Sequence, residues 1–557
     1  MRNLKLFITV IASFAFFYSY SQEDAPFTKA DTLRGGNNAN RSWWDVLKYQ
    51  LNVEPDFNSK SIIGNCKITF KIIEEGKTMQ IDLQDTLIID NISFELVTTS
   101  SKKSNIIVKY KRVDGVYLVT IPKAKKNTIA TLSIHYHGKP REALRPPWDG
   151  GWVFAKDSLG NPWMSVACQG FGASCWYPCK DIQSDEPDSG AIITLITPDS
   201  LEAISNGRII DTKVEKHKKL TTWQVLNPIN NYNIVPYIGK YTNFIDTLNG
   251  EGGVLNISYW VLNYNLRKAE MQFKQVKPML HCFEYWFGKY PFYEDSYKLV
   301  EAPYLGMEHQ SAVAYGNGYM NGYRAADLSS TGWGLKWDFI IVHESGHEWF
   351  GNNITTNDIA DMWVHEGFTN YSETLYTEWL FGKEAGNDYS EGIRKRIFND
   401  KPIIGPYGVN KEGSTDIYYK GSNLIHNIRH LINNDSLFRE ILRGLNKTFY
   451  HQTVNSKQIE AYISNKSEID LSLVFNQYLR STQIPKLVFK KEINQNIIEV
   501  YWQNCIQGFN MPITIPITNR KIQITTNQKV VKLSEEEFKW FNKKNLLRDY
   551  YLKIEEQ

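Results

Sequence analysis

The stretch His343-Glu344-Ser345-Gly346-His347, followed by Glu366 inside Trp363-Val364-His365-Glu366-Gly367-Phe368, decides how this chain is read. On a helix, a spacing of four puts both histidines on one face a turn apart, so two imidazoles can reach one metal ion. Glu344 neighbours the first histidine and points to the same pocket without being a natural third ligand. A carboxylate there is placed to take a proton from metal-activated water. Glu366 comes 19 residues after His347 and reaches the same ion from a following helix. Two histidines and one glutamate leave a fourth position to water. The approach Phe339-Ile340-Ile341-Val342 and the exit Trp349-Phe350-Gly351 are apolar, which predicts a buried helix. Buried histidines and glutamates without partners are costly, and a metal supplies the partner.

A chain of 557 residues is too long for one ordinary core, so several domains are expected. Apolar residues make up 42%, as in soluble globular proteins, and the net charge is only +3. No basic run points to nucleic acid or to a membrane-surface patch. Arg2 and Lys5 precede an apolar run from Leu6 to Tyr18, and Ser19-Tyr20-Ser21 offers small residues for cleavage before Gln22. Residues 1–21 therefore read as a signal peptide, which predicts export to a periplasmic or extracellular location. The run is short for a membrane span, and nothing later is long and apolar enough for one. An oxidising compartment permits disulfides among Cys66, Cys168, Cys175, Cys179, Cys282 and Cys505, but spacing chooses no pairing. Cys168, Cys175 and Cys179 lack a C-x-x-C, so buried thiols or a local disulfide are expected rather than zinc.

The pattern predicts a multidomain α+β fold. Residues 22–245 read as an N-terminal β domain: Ile68, Phe70 and Ile72 alternate on one face, and Leu132, Ile134 and Tyr136 oppose Ser133, His135 and His137. The two histidines are expected to face solvent. From about Leu266 the period becomes helical, with one helix predicted from Lys268 to Phe287, ended by Gly288. Residues 246–484 form the predicted catalytic domain. After Pro485, short alternating strands such as Ile497 to Tyr501 predict a small β-sandwich domain over residues 485–557.

With these pieces in place, the chain resembles the gluzincin aminopeptidases, the family of aminopeptidase N and leukotriene hydrolase. His343-Glu-Ser-Gly-His347-Glu-Trp-Phe-Gly-Asn352 is similar to that family's H-E-x-x-H-x-W-F-G-N. Glu366 stands at the family spacing in a W-x-x-E-G-F match, and Tyr418-Tyr419-Lys420-Gly421 resembles its Y-x-K-G motif. The resemblance covers nearly the whole chain after the signal segment. It implies a saddle-like N-terminal sheet domain, a thermolysin-like catalytic domain and a short three-domain form.

It also implies roles. His343, His347 and Glu366 would hold one Zn²⁺, Glu344 would act as general base, and Tyr418 rather than Tyr419 would stabilise the oxyanion. Leu305-Gly306-Met307-Glu308-His309 resembles the G-x-M-E-N motif, in which Glu308 would pair with the free α-ammonium of a peptide and Gly306 and Met307 would face its backbone. Leu305 and His309 depart from the motif, and His309 offers either a retained donor or a charge that changes with pH. Counting back nine residues from Pro178 in Pro178-Cys179-Lys180-Asp181 reaches Gln169, which would accept from the same ammonium. The implied activity is hydrolysis of the first peptide bond of peptides with a free N-terminus. A metzincin is excluded, because Phe350 and Asn353 stand where its glycine and histidine are required. A thermolysin-like zinc endopeptidase and a catalytically silent peptide-binding relative are the alternatives. The terminal strands leave no room for a large helical cap, so an open cleft with little length selection is expected.

Overall fold

The computed structural model describes residues 27–97 and 105–557, and the signal segment read at residues 1–21 lies outside them. The main N-terminal sheet has the spatial order Arg208–Glu215, Lys218–Val225, Ala191–Pro198, Trp44–Asp56, Ser61–Ile72, Ile129–Gly138, Leu87–Leu96 and Ile106–Ile107. Trp44–Asp56 and Ala191–Pro198 pair in parallel. Period-2 alternation sets its faces. Ile68, Phe70, Leu132, Ile134 and Tyr136 are buried, while His135 and His137 face outward, His137 lying 2.8 Å from Asp90. A second sheet, Glu202–Ile204, Tyr237–Gly239, Pro162–Ala167 and Gly151–Lys156, shares one apolar core with the first. Val300, Ala302, Tyr304, Met307, Ala312 and Ala314 also belong to that core. The segment bearing Glu308 is therefore anchored in the N-terminal unit.

The next sheet runs Tyr241–Gly250, Gly253–Leu262, Tyr297–Glu301, Val313–Tyr315 and Gly306–Met307. Gly306–Met307 is its edge, paired only with Val313–Tyr315. The single helix expected over 268–287 is instead two helices, Leu266–Gln272 and Val276–Phe287, joined by a 3₁₀ turn at Phe273–Gln275. Side chains three apart eclipse in such a turn. That brings Gln272 and Gln275 together on Asn321 Oδ1 at 3.1 and 3.0 Å.

Helices Phe339–Gly346, Trp363–Phe381, Lys383–Ile393, Tyr419–Ile432, Asp435–Thr448, Ser456–Ser467 and Ser472–Arg480 follow. The terminal segment forms a sheet ordered Lys529–Lys532, Ile497–Gln503, Lys486–Glu492 and Lys553–Glu556. Two helices, Glu535–Trp540 and Lys543–Asp549, accompany it, which the strand alternation does not announce. Leu487, Trp502, Ile513 and Tyr550 share a continuous core with Leu424, Ile428 and Phe475, so the terminal strands brace the helices. All six cysteines are free thiols. No described helix is long and apolar enough to cross a membrane.

Candidate active site

Asp338 starts the histidine helix by accepting from the amides of Ile340 and Ile341. β-Branched Ile340, Ile341 and Val342 are mediocre helix formers, and burial of the whole run compensates. The helix ends at Gly346, yet His347 keeps helical dihedrals (φ −63°, ψ −19°), which preserves the turn-apart spacing from His343. Glu366 occupies the first turn of Trp363–Phe381, where the helix dipole favours a carboxylate. Tyr418 precedes the helix Tyr419–Ile432. What brings that helix close is a glycine contact. A Cβ on Gly421 would lie 3.1 Å from the Cα of Gly367, and one on Gly367 would lie 3.2 Å from Gly421. The glycines of the two motifs thus hold Tyr418 against the residues of the other.

His343 Nε2 and His347 Nε2 lie 3.6 and 3.3 Å from Glu366 Oε2. One ligand atom from each residue fits within 4.8 Å of the others. The far side of each ring is committed. His343 Nδ1 donates to Glu373 Oε1 at 2.7 Å, and His347 Nδ1 to the Phe350 carbonyl at 3.0 Å. Both Nε2 lone pairs therefore face the shared point. Glu373 is itself held by Asn370 at 2.8 Å and by the Tyr389 hydroxyl at 2.6 Å. Glu366 Oε2 is buried and accepts no hydrogen bond from any described residue. Two convergent imidazole nitrogens and an orphaned carboxylate oxygen fit a zinc ion.

These residues open on a cleft of about 580 Å³. Glu344 lines it, and burial raises its carboxyl to about 7. The Tyr418 ring lies 6.0 Å from that of His343, nearly parallel to it. Burial, then the charges of Glu366 and Glu412, raise the Tyr418 phenol well above its ordinary range, so it stays a donor. Tyr419 also lines the cleft, and burial and then the charge of Glu373 raise its phenol. On the wall shared with the N-terminal unit, Glu308 is 2% exposed. Its Oε1 accepts from the Gln169 side-chain amide and, at 3.2 Å, from the Tyr232 hydroxyl. No other described residue donates a hydrogen bond to its Oε2, although its own backbone amide also favours the carboxylate. With its nitrogen committed, Gln169 keeps its carbonyl oxygen available as an acceptor. Gly306 and Met307 line the cleft, and a Cβ on Gly306 would lie 2.7 Å from Glu344 Oε1.

His309 answers differently from either expectation. It is fully buried, bonded through Nδ1 to the Tyr237 hydroxyl at 2.7 Å, and burial lowers it to about 3. It donates nothing into the cleft and carries no charge near neutrality. Several residues of the site escaped the sequence reading. Asn352 donates to the Glu308 carbonyl at 2.9 Å and accepts from Asn233 at 2.6 Å. Glu412, lining the cleft, is raised by burial and then by Glu366 and Glu308. Glu373, the partner of His343, was also passed over but had a signal, since it lies two turns beyond Glu366 on the same helix.

Residues 271–478 match the model of the peptidase family M1 domain, and residues 46–232 match the peptidase M1 N-terminal domain. The chain belongs to the M1 peptidase family. It is 21% identical over 500 residues to the probable aminopeptidase 2 of Sulfurisphaera tokodaii, covering 86% of this chain and 59% of that one. It is 22% identical to the mitochondrial aminopeptidase 2 of Saccharomyces cerevisiae, covering 81% and 48%. The chain thus spans about half the length of the curated relatives it matches. Its fold is shared with the crystal structure of an M1 zinc metallopeptidase from Deinococcus radiodurans, with a TM-score of 0.66, 18% identity, and 80% and 95% of the two chains covered.

Proposed function

We propose that this chain is an exported zinc-dependent aminopeptidase that removes the first residue of peptides with a free N-terminus. One observation carries the reading: a buried carboxylate, Glu308, keeps an oxygen that no other described residue's donor occupies, in the same cleft as His343, His347 and Glu366. That oxygen suits an α-ammonium, with the Gln169 carbonyl as a second acceptor. Anchoring the amine there puts the first peptide bond, and no later one, beside the histidines.

His343, His347 and Glu366 would hold the zinc, oriented by Glu373 and the Phe350 carbonyl. When bound, zinc supplies Lewis acidity toward the scissile carbonyl and toward water. Glu344 accepts the proton of the attacking water and returns it to the leaving amine. Tyr418 donates to the carbonyl oxygen as negative charge develops on it. The edge strand Gly306–Met307 offers its free backbone side to the substrate, as an added strand would use it.

The test compares an aminoacyl arylamide with its N-acetyl form, with zinc assayed on the same sample. The expected result is cleavage of the free amine and one zinc per chain. Faster cleavage of the blocked form would replace the proposal with an endopeptidase. Export rests on the N-terminal segment, and activity confined to the cytoplasmic fraction would overturn it.

A further inference from the structure

Among the described residues, Arg396 is the one lysine or arginine side chain lining a cleft that also holds Glu308, Glu344, Glu366 and Glu412. It comes from the tight turn Arg394–Arg396 after the helix Lys383–Ile393. The arginines of that turn diverge. Arg394 donates to the carbonyls of Leu547 and Tyr550 and ties down the terminal segment. Arg396 spends only Nε, on the Leu328 carbonyl at 2.8 Å. Its terminal nitrogens have no hydrogen bond or ion pair with any described residue.

The position of Arg396 follows from its neighbours. Phe339 stacks on His343 at 5.1 Å and meets Tyr323 edge-on at 5.4 Å. The charges of Glu344 and Arg396 both act on the Tyr323 phenol. Tyr323, Leu328 and Arg396 therefore line the cleft on the Phe339 side of His343. Glu308 is instead held from the N-terminal unit by Gln169 and Tyr232. If the amine is held at Glu308 and the leaving nitrogen at Glu344, the remainder of a short peptide stays within the same cleft, where Arg396 is the cation available to it. A guanidinium with its terminal N–H groups unspent matches a carboxylate through two parallel hydrogen bonds. Every short peptide ends in that group.

We propose that Arg396 binds the C-terminal carboxylate of short peptides, so that the cleft favours substrates of two or three residues over longer or C-terminally amidated ones. The inference rests on the aminopeptidase reading and reverses the weak length selection expected from the small terminal domain.

The experiment measures kcat/KM for di-, tri- and tetrapeptides and their C-terminal amides with wild type, Arg396→Gln and Arg396→Lys. It also measures equilibrium binding of the same pairs to Glu344→Gln and to Glu344→Gln/Arg396→Gln. Wild type should favour the acid of the best-fitting length by about 10- to 100-fold, mainly in KM, the range of a hydrogen bond to a charged group. Arg396→Gln should bring acid and amide near parity, with Arg396→Lys between. Equal rates on acid and amide in wild type, or an Arg396→Gln loss that leaves their ratio intact, would overturn the proposal. So would an amidated peptide that regains full rate through an acidic side chain, since the arginine would then read side chains. If no peptide is cleaved, the aminopeptidase reading fails, while the binding ratios still decide the role of Arg396.

Discussion

Glu308→Gln removes the charge of the amine site and keeps its shape. At about 4 Å and an effective dielectric of about 20, an ammonium and a carboxylate attract by about 4 kcal/mol. The glutamine retains a carbonyl acceptor worth about 0.5–1.5 kcal/mol, as a neutral hydrogen bond is. The net loss is then about 2.5–3.5 kcal/mol, or about 70- to 400-fold in kcat/KM for a free-amine substrate. An aminoacyl arylamide and its N-acetyl form, assayed side by side, report this directly, and their rate ratio should collapse by the same factor. The thermal midpoint should not fall, because burial already raises the Glu308 carboxyl and the folded protein holds its charge at a cost. Equal proportional losses on both substrates would refute the amine-anchor reasoning. So would a free-amine loss smaller than about threefold.

Tyr418→Phe should lower kcat by about 100- to 1,000-fold with zinc content unchanged, the usual consequence of losing one oxyanion donor. Near-normal turnover would remove Tyr418 from the site. Glu373→Ala frees His343 Nδ1 and should weaken zinc affinity by about 10- to 100-fold, read by competition with a chelating dye. Gly421→Ala forces a methyl to within 3.1 Å of the Gly367 Cα. It should cost about 1–3 kcal/mol in denaturant unfolding and shift Tyr418, so an unchanged midpoint would deny the helix contact its role. His426 and His430 are buried, and burial, then neighbouring positive charge, holds both well below 6.5. The unfolded chain binds protons below about pH 6.5 that the folded one refuses. Their contribution is thus present above that pH and declines as pH falls, by up to about 1.4 kcal/mol per pH unit for each. Denaturant unfolding from pH 7.5 to 5.5 should show the slope, and His426→Gln/His430→Gln should flatten it.

The convergence of the candidate metal set was legible because a helical period converts spacing directly into geometry. His343, His347 and the first-turn Glu366 needed only that conversion, and the same arithmetic extends to Glu373. The strand faces around Ile68 and Ile134 were legible for the corresponding reason, a period of two. The amine site is different. Gln169 and Glu308 are separated by 139 positions, and no local period links them, so only the family motifs suggested the pair. Arg396 and Glu412 carried no local signal, since a charged residue in a turn becomes a cleft residue only when other elements enclose it. His309 shows the converse. Its place in the motif invited a chemical role, while the fold turned it away to Tyr237 and kept it neutral.

That division has a mechanical consequence. The proposed metal ligands belong to two catalytic helices, whereas Glu308 is packed with the N-terminal core and gripped by Gln169 and Tyr232 of that unit. Aminopeptidase chemistry requires the ammonium to stand a fixed distance from the ion, so slippage between the units would blur which bond is cut. Asn352 is where the two are tied. It lies five residues after His347, holds the Glu308 carbonyl at 2.9 Å, and is itself held by Asn233 at 2.6 Å. A side-chain amide suits this post because, from the catalytic unit, it donates to the Glu308 carbonyl and accepts from Asn233, both of which belong with the N-terminal unit. On the proposed reading the motif's asparagine would act without touching the metal: it would set the distance between the residues that activate water and the residue that chooses the bond.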